Sequence, residues 1–186
     1  MSDGRPPYRR AVFLDRDGTM NVDLKYISDP DHLELFKGVV EGLRLLAHHG
    51  FLLVVVTNQS GISRGLYTED DVRRLHERLQ SMLEKEGVHL DRFYYCPHAP
   101  ADACACRKPG TELFNRAAKD LSIHMPSSAI IGDRDLDVEA GRRLGLMTAL
   151  VRTPSLHLTN NDAPRLRADI EVTSFLEACH RILARG

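Results

Sequence analysis

Short apolar segments alternate with longer amphipathic segments along most of the chain. The strand-like segments cover 11–14, 51–56, 92–95, 129–131, 147–151 and 168–172, and the helical segments cover 38–49, 68–86, 112–121, 136–144 and 175–184. Strands that alternate with helices favour a parallel sheet with helices on both faces. We therefore predict an α/β protein with a three-layer, Rossmann-like fold and a mainly parallel sheet. No long insertion between these segments indicates a separate cap domain.

Two of the segments carry a clear local signal. The segment 51–56 is apolar at every position, as expected for a central strand that is covered on both faces. The helix that follows it is predicted to begin at Thr68, with Asp70 as the acidic partner of a capping pattern. Its apolar residues recur at helical spacing, so we assign them to the core.

Polar residues directly follow three of the apolar strands. Asp15 and Asp17 follow the first strand, Thr57 and Asn58 follow the second, and Asp133 follows the fourth. Side chains alternate between the two faces of a strand, so Asp15 and Asp17 can point the same way. The carboxyl ends of parallel strands meet at one edge of the sheet, where open α/β folds bind their ligands. We expect these side chains to surround one point.

Such a set of side chains suits a metal-dependent reaction at phosphorus. Crowded carboxylates at an open site favour Mg²⁺, which prefers oxygen ligands. We assign Asp15, the backbone carbonyl of Asp17 and Asp133 to this ion. Lys108 lies just before the third helix. We assign Lys108 and Thr57 to the oxygens of the transferred phosphoryl group, whose negative charge must be neutralised in the transition state.

The two acids after the first strand receive different roles. Asp15 is predicted to be the nucleophile that forms an aspartyl-phosphate. Asp17 is predicted to protonate the leaving alkoxide and later to accept a proton from water, so we expect its pKa to be raised. Taken singly, an acidic turn after a strand or an exposed Arg-Lys pair is common in ordinary proteins. Their joint occurrence in this order is what indicates catalysis.

Four segments together resemble the four motifs of the haloacid dehalogenase (HAD) superfamily of phosphatases. They are Asp15-Arg16-Asp17-Gly18-Thr19 and the segments 57–61, 107–109 and 132–137. The resemblance runs from about residue 11 to residue 151, and it implies the Rossmann-like HAD fold and the aspartyl-phosphate mechanism. Asp137 matches a second acid of the fourth motif, which often supports the metal in this superfamily. We rank it below Asp133.

A cysteine-rich segment precedes Arg107. Cys96, His98, Cys104 and Cys106 lie within eleven residues. Three thiolates and one imidazole can form a closed tetrahedral zinc site, although the spacing differs from paired CxxC motifs and reduced cysteines in a loop are the alternative. The segment has few apolar residues, so a metal would order it and hold the cations that follow. We predict a structural Zn²⁺.

The zinc loop and the four motifs together resemble one branch of the superfamily, that of the D-glycero-D-manno-heptose 1,7-bisphosphate 7-phosphatases and the histidinol-phosphatases. The segments 21–23, 54–65 and 94–98 are similar to the heptose enzymes, whereas the short loop 99–103 is more similar to the histidinol-phosphatases. The resemblance implies removal of the 7-phosphate of the heptose bisphosphate, with histidinol phosphate as the alternative substrate. It also implies that substrate is contacted by Asp23, Lys25, Tyr26, Asn58, Arg107, Lys108 and Arg134.

Length, charge and composition indicate the domain organisation, the partners and the location of the protein. The 186 residues suit a flexible arm over 1–10 and one domain over 11–186 that carries the zinc loop at 96–106. A net charge of -1 with dispersed basic residues argues against nucleic acid or a membrane surface as partner. No apolar segment has the length of a signal peptide or a membrane span, so we expect a cytoplasmic monomer that binds a small phosphorylated substrate.

Two other classes of protein remain as alternatives. A phospho-acceptor signalling domain also uses a strand-end Asp, Mg²⁺, Thr and Lys, but it must keep its phosphate, which an acid/base at Asp17 would help to remove. A zinc module for structure or nucleic-acid binding is disfavoured by the balanced charge and by the acids at the strand ends.

Overall fold

The protein is described by a computed structural model over residues 8–152 and 166–185. Six strands form one sheet in the order β3-β2-β1-β4-β5-β6, and each strand pairs in parallel with its neighbours. The strands are β1 (Ala11–Leu14), β2 (Leu52–Asn58), β3 (Arg92–Cys96), β4 (Ala129–Gly132), β5 (Met147–Val151) and β6 (Ile170–Val172). The helices are α1 (Val39–His48), α2 (Glu69–Lys85), α3 (Glu112–Leu121), α4 (Asp135–Arg143) and α5 (Phe175–Leu183).

The sheet lies between two hydrophobic cores, one on each face. Val12 and Leu14 of β1 point into the core that is covered by α1, α2 and α5. Ala11 and Phe13 point into the opposite core, which is covered by α3 and by Ala140 of α4. Successive side chains of a strand face opposite sides, so a buried central strand must be apolar throughout. The predicted three-layer, Rossmann-like α/β fold is confirmed.

Most predicted elements are present, and the differences lie at their ends. β2 continues through Thr57 and Asn58, because these residues still pair with Tyr95 and Cys96 of β3 although their side chains are polar. Thr68 caps α2 as expected, but its partner is Asp71 and not Asp70. A capping box requires the acid at the third helical position, where its carboxylate reaches the backbone N–H of the capping residue.

The segment between β1 and α1 is folded back on the strand end. Asn21 is buried, and its backbone forms isolated β-bridges with Asp17 and Leu35. A short 3₁₀ turn, Pro30–His32, follows before α1 begins. This segment therefore packs against the residues that follow β1, where the acids lie.

Parts of two predicted segments lie outside the described residues. Residues 1–7 of the predicted arm and residues 153–165, a polar connection that the sequence predicts between the fifth and sixth strands, are among them. Within the described part, the backbone of Arg9 is hydrogen-bonded to Ser122 and His124. None of the helices in the described ranges has the length and apolarity of a membrane-spanning segment.

Candidate active site and metal sites

The strand ends and the loops around them enclose a cavity of about 450 Å³. It is lined by every residue predicted for catalysis or substrate contact, namely Asp15, Asp17, Asp23, Lys25, Tyr26, Thr57, Asn58, Arg107, Lys108 and Arg134. Ligand sites of open α/β sheets lie at this edge because the loops that follow the strands converge there. The structure thus brings together residues that are more than a hundred positions apart in the chain.

Three carboxylates meet at the floor of this cavity. Oxygen atoms of Asp15, Asp133 and Asp137 all lie within 4.8 Å of one another. The predicted magnesium set consists of the carboxylates of Asp15 and Asp133 and the backbone carbonyl of Asp17. The third carboxylate of the cluster is that of Asp137, which the sequence ranked below Asp133, and the first turn of α4 returns it to the end of β4, against Gly132.

The chemistry of this cluster fits a divalent cation. Burial, together with the neighbouring charges of Asp15 and Asp137, raises the pKa of Asp133 to about 8. Oδ2 of Asp133 is buried and accepts no hydrogen bond from the described residues, with Nε of Arg134 3.5 Å away, while Oδ1 accepts a hydrogen bond from the Thr19 hydroxyl at 3.2 Å. Three crowded carboxylates, one of them with an oxygen that lacks a hydrogen bond, form a site that a hard cation with oxygen ligands would satisfy.

Gly18 leaves room for this cluster. It has a φ of +84°, and a Cβ at this position would lie 2.7 Å from Oδ2 of Asp133. We expect Gly18→Ala to weaken Mg²⁺ binding by about 10- to 100-fold, because the displaced Asp133 carboxylate can no longer be oriented for the ion. Calorimetric titration with Mg²⁺, together with the Mg²⁺ dependence of turnover, measures the effect.

Gly50→Ala is the matched control for this substitution. Gly50 has a φ of +80°, but a Cβ there would meet no atom within 4 Å. Alanine at position 50 therefore has the same backbone strain as alanine at position 18, without contact to a carboxylate. Equal Mg²⁺ affinities of the two variants would contradict the role of Gly18.

Lys108 lies beside the carboxylate cluster. Its Nζ contacts carboxylate oxygens of Asp15 and Asp137 at 2.7 Å each, and it donates a hydrogen bond to the Val56 carbonyl at 2.9 Å. Burial lowers the pKa of this ammonium group, but the charges of Asp137 and Asp15 outweigh burial and raise it above the ordinary value. The Lys108 backbone is held by the Asn58 side chain, which donates to its carbonyl and accepts from its N–H. Lys108 is thus a fixed positive charge next to Asp15.

The Asp17 carboxylate accepts four hydrogen bonds. Its donors are Nε and Nη2 of Arg16, the Asn21 amide and the Gln59 amide, at 2.7 to 3.1 Å. Burial raises the pKa of Asp17, but the Arg16 charge and the hydrogen bonds from Arg16, Asn21 and Gln59 bring it below its ordinary value. The predicted raised pKa is therefore wrong for the free protein. Arg16 is itself fully buried, so its positive charge is weakly screened.

The remaining predicted substrate residues lie at the rim of the cavity. Arg134 contacts the Asp23 carboxylate at 3.0 Å, and Asp23 also accepts a hydrogen bond from the Lys25 backbone N–H. Lys25 and Tyr26 have φ values of 53° and 63°, a left-handed conformation that is strained for residues with a Cβ. The half-exposed Tyr26 ring lies near Arg64 and near the ring of Tyr67. The rim thus combines cations, a carboxylate and an aromatic ring.

The polar residues Arg16, Gln59, Ser60 and Tyr67 also line the cavity, and none of them was identified as a site residue from the sequence. Gln59 follows Thr57 by two positions, so the strand period of two could have placed its side chain beside that of Thr57. Tyr67 had no such signal, because it lies in the irregular segment before α2 and reaches Gln59 only in the folded chain.

The predicted zinc ligands come together in a second cluster. Side-chain atoms of Cys96, His98, Cys104 and Cys106 all lie within 4.8 Å of one another, and the closest sulfur pair is 3.1 Å apart. All four cysteines of the chain are free. Nη1 of Arg107 donates a hydrogen bond to the His98 carbonyl at 3.2 Å, which joins this cluster to the cavity. Three sulfurs and one imidazole nitrogen around one point suit a closed tetrahedral Zn²⁺ site.

Comparisons with known proteins agree with this architecture. The Hydrolase_like family model of HAD-like hydrolases matches residues 105–178. The D-glycero-beta-D-manno-heptose-1,7-bisphosphate 7-phosphatase of Haemophilus ducreyi is 43% identical over 153 residues, which are 78% of this chain and 84% of the relative. The enzyme of the same name from Yersinia pestis is 42% identical over 151 residues, which are 77% of this chain and 80% of the relative.

A solved structure extends the similarity to almost the whole chain. The D,D-heptose 1,7-bisphosphate phosphatase from B. bronchiseptica, crystallised with magnesium and phosphate, superposes with a TM-score of 0.85 at 26% identity. The match covers 95% of this chain and 99% of that one. The predicted membership of the HAD superfamily is confirmed. The chain belongs to the HAD-like hydrolases, in the family of the D-glycero-D-manno-heptose-1,7-bisphosphate 7-phosphatases.

Proposed function

We propose that this protein is a Mg²⁺-dependent phosphatase that removes the 7-phosphate of D-glycero-β-D-manno-heptose 1,7-bisphosphate through an aspartyl-phosphate on Asp15. The observation that carries the proposal is the Asp15 carboxylate, which lies at the floor of the cavity 2.7 Å from the Lys108 ammonium. The relatives support the substrate, since those from Haemophilus ducreyi and Yersinia pestis are both named as phosphatases of the β-heptose bisphosphate.

In the first half of the reaction, a carboxylate oxygen of Asp15 attacks the phosphorus atom and the bond to the sugar oxygen breaks. Asp17 donates its proton to the leaving sugar oxygen. Asp17 is ionised in the free protein, but a phosphate ester bound beside it adds negative charge, which raises the pKa of the carboxyl group. The bound substrate thereby favours the protonated form that this step needs.

In the second half, water attacks the aspartyl-phosphate and Asp17 accepts its proton. Inorganic phosphate leaves, and Asp15 returns as a carboxylate. Thr57 and Lys108 stabilise the phosphoryl oxygens in both halves, because the Lys108 ammonium lies next to Asp15 and the Thr57 hydroxyl lines the same cavity. Asp15, Asp133 and the Asp17 carbonyl would hold Mg²⁺ with support from Asp137, and the ion would neutralise charge on the phosphoryl group.

The rim residues are proposed to bind the sugar and its second phosphate. Asp23 suits the sugar hydroxyls as a hydrogen-bond acceptor, and Lys25 or Arg107 suits the 1-phosphate as a cation. Tyr26, Asn58 and Arg134 complete the substrate contacts.

The zinc cluster is proposed to be structural. Four ligands leave no open position for water or substrate, as in structural rather than catalytic sites. We propose one domain over 11–186 that includes this zinc loop and follows an arm over 1–10, in a cytoplasmic protein that acts as a monomer without nucleic acid or membrane partners.

Phosphate release with Mg²⁺ from both anomers of the heptose bisphosphate and from histidinol phosphate tests the proposed function. We expect the highest kcat/KM for the β-anomer, because the relatives from Haemophilus ducreyi and Yersinia pestis are named as phosphatases of the β-heptose bisphosphate. A preference for histidinol phosphate would overturn the substrate and would mean that the short loop 99–103 is the better indicator. A stable phosphoenzyme without release would instead support a phospho-acceptor domain.

A further inference from the structure

Gln59 lies between the acid/base and the phosphate-binding hydroxyl. Its Nε2 donates one hydrogen bond to Oδ2 of Asp17 and one to Oγ1 of Thr57, each at 2.9 Å. Both N–H hydrogens of the Gln59 amide are therefore donated to residues with proposed catalytic roles. Gln59 is almost fully buried, so neither bond is in competition with bulk water.

Tyr67 holds the oxygen end of this amide. Its hydroxyl donates a hydrogen bond to Oε1 of Gln59 at 2.7 Å. An amide rotated by half a turn would present its nitrogen to the Tyr67 hydroxyl and its oxygen to the Asp17 carboxylate, where two acceptors would repel each other. The Asp17 carboxylate thus selects the orientation in which Gln59 donates to it, and the Tyr67 hydroxyl satisfies and holds the opposite end of the amide.

The Tyr67 ring is fixed in place by the loop beside it. A Cβ on Gly61 would lie 2.2 Å from a carbon of the ring, so this position has space for glycine alone. The ring is buried, and it lies beside Tyr26 at a centroid distance of 6.5 Å. Gln59 is held at its own backbone by a hydrogen bond to the Cys96 carbonyl. Both partners of the side-chain hydrogen bond are therefore rigid before substrate arrives.

We propose that Gln59 and Tyr67 are positioning residues that hold the Asp17 carboxyl group where it can protonate the leaving sugar oxygen. The inference rests on the proposed role of Asp17 and adds two residues that do not themselves react. The hydrogen bond from Gln59 also leaves the Thr57 hydroxyl free to donate its own proton toward a phosphoryl oxygen. Loss of the Tyr67 hydroxyl should therefore slow proton transfer from Asp17 to the leaving sugar oxygen more than it affects the other steps of the reaction.

The test compares leaving groups. A sugar alkoxide needs a proton in order to leave, whereas p-nitrophenolate is a stable anion that does not. We expect Tyr67→Phe to lower kcat/KM for the heptose bisphosphate by about 10-fold relative to kcat/KM for p-nitrophenyl phosphate. Gln59→Met retains the length of the side chain without the amide. It should lower the same ratio of the two kcat/KM values by at least as much.

Tyr94→Phe is the matched control. Tyr94 is equally buried and donates a hydrogen bond to Asp120 at 2.9 Å, away from the cavity. The ratio of kcat/KM for the heptose bisphosphate to kcat/KM for p-nitrophenyl phosphate should therefore be the same in Tyr94→Phe as in the wild type. Equal losses on both substrates in Tyr67→Phe and Gln59→Met would reveal a merely structural role and overturn the proposal. A wild-type protein that releases no phosphate from the heptose bisphosphate would instead overturn the proposed function.

Discussion

Asp15→Asn is expected to lower kcat/KM for the heptose bisphosphate by about 10⁴-fold or more, because an amide cannot form the aspartyl-phosphate. The fold should remain, since Lys108 keeps its contact with Asp137 and one of three crowded carboxylates is neutralised. Turnover assays, the melting temperature and the intact mass after an acid quench measure these effects. The wild type should gain the mass of one phosphoryl group, and the variant should not.

Asp70→Asn is the control for Asp15→Asn. Asp70 lies on the exposed side of α2, where it pairs with Arg73 at 2.5 Å and with Arg74 at 4.0 Å. Loss of exposed ion pairs has little effect on stability, so rate and melting temperature should stay close to the wild-type values. Turnover by Asp15→Asn well above background, or a phosphorylated variant, would refute Asp15 as the nucleophile.

Removal of zinc is expected to have the second large effect. We expect a chelator, or Cys106→Ser, to remove one Zn²⁺ per chain and to lower the melting temperature by about 10 °C, because the metal is proposed to order residues 96–106. Activity should fall mainly through a higher KM. Arg107 is held through the carbonyl of a proposed zinc ligand, His98, whereas the Lys108 backbone is held independently by Asn58.

Cys179→Ala separates loss of zinc from loss of a cysteine. Cys179 is buried in α5, in the core that α1 also covers, so its replacement should cost about 1 kcal/mol while zinc content remains at that of the wild type. The chelator should then lower the melting temperature of Cys179→Ala and the wild type equally, and should leave Cys106→Ser unchanged. A wild-type protein whose melting temperature is insensitive to the chelator would make the zinc proposal wrong.

The sequence by itself determined the α/β architecture, the members of the cysteine-histidine cluster, and Asp15 and Asp133 of the carboxylate cluster. Apolar strands and amphipathic helices are local patterns, and each can be recognised within a window of ten to twenty residues. The proposed zinc ligands are also local, since Cys96 to Cys106 span a single loop. The acids at the strand ends could be placed together because parallel strands with helical crossovers bring their carboxyl ends to one edge of the sheet.

Only the tertiary structure decided which carboxylate joins the cluster and how Asp17 titrates. The first turn of α4 places Asp137 against Asp15, and sequence spacing does not show how far a helix turns back toward the preceding strand. The pKa of Asp17 depends on a buried Arg16 and on amides that come from two other segments. Burial and close charges act through space, so strand ends can be predicted along the chain, whereas these side-chain contacts require the folded molecule.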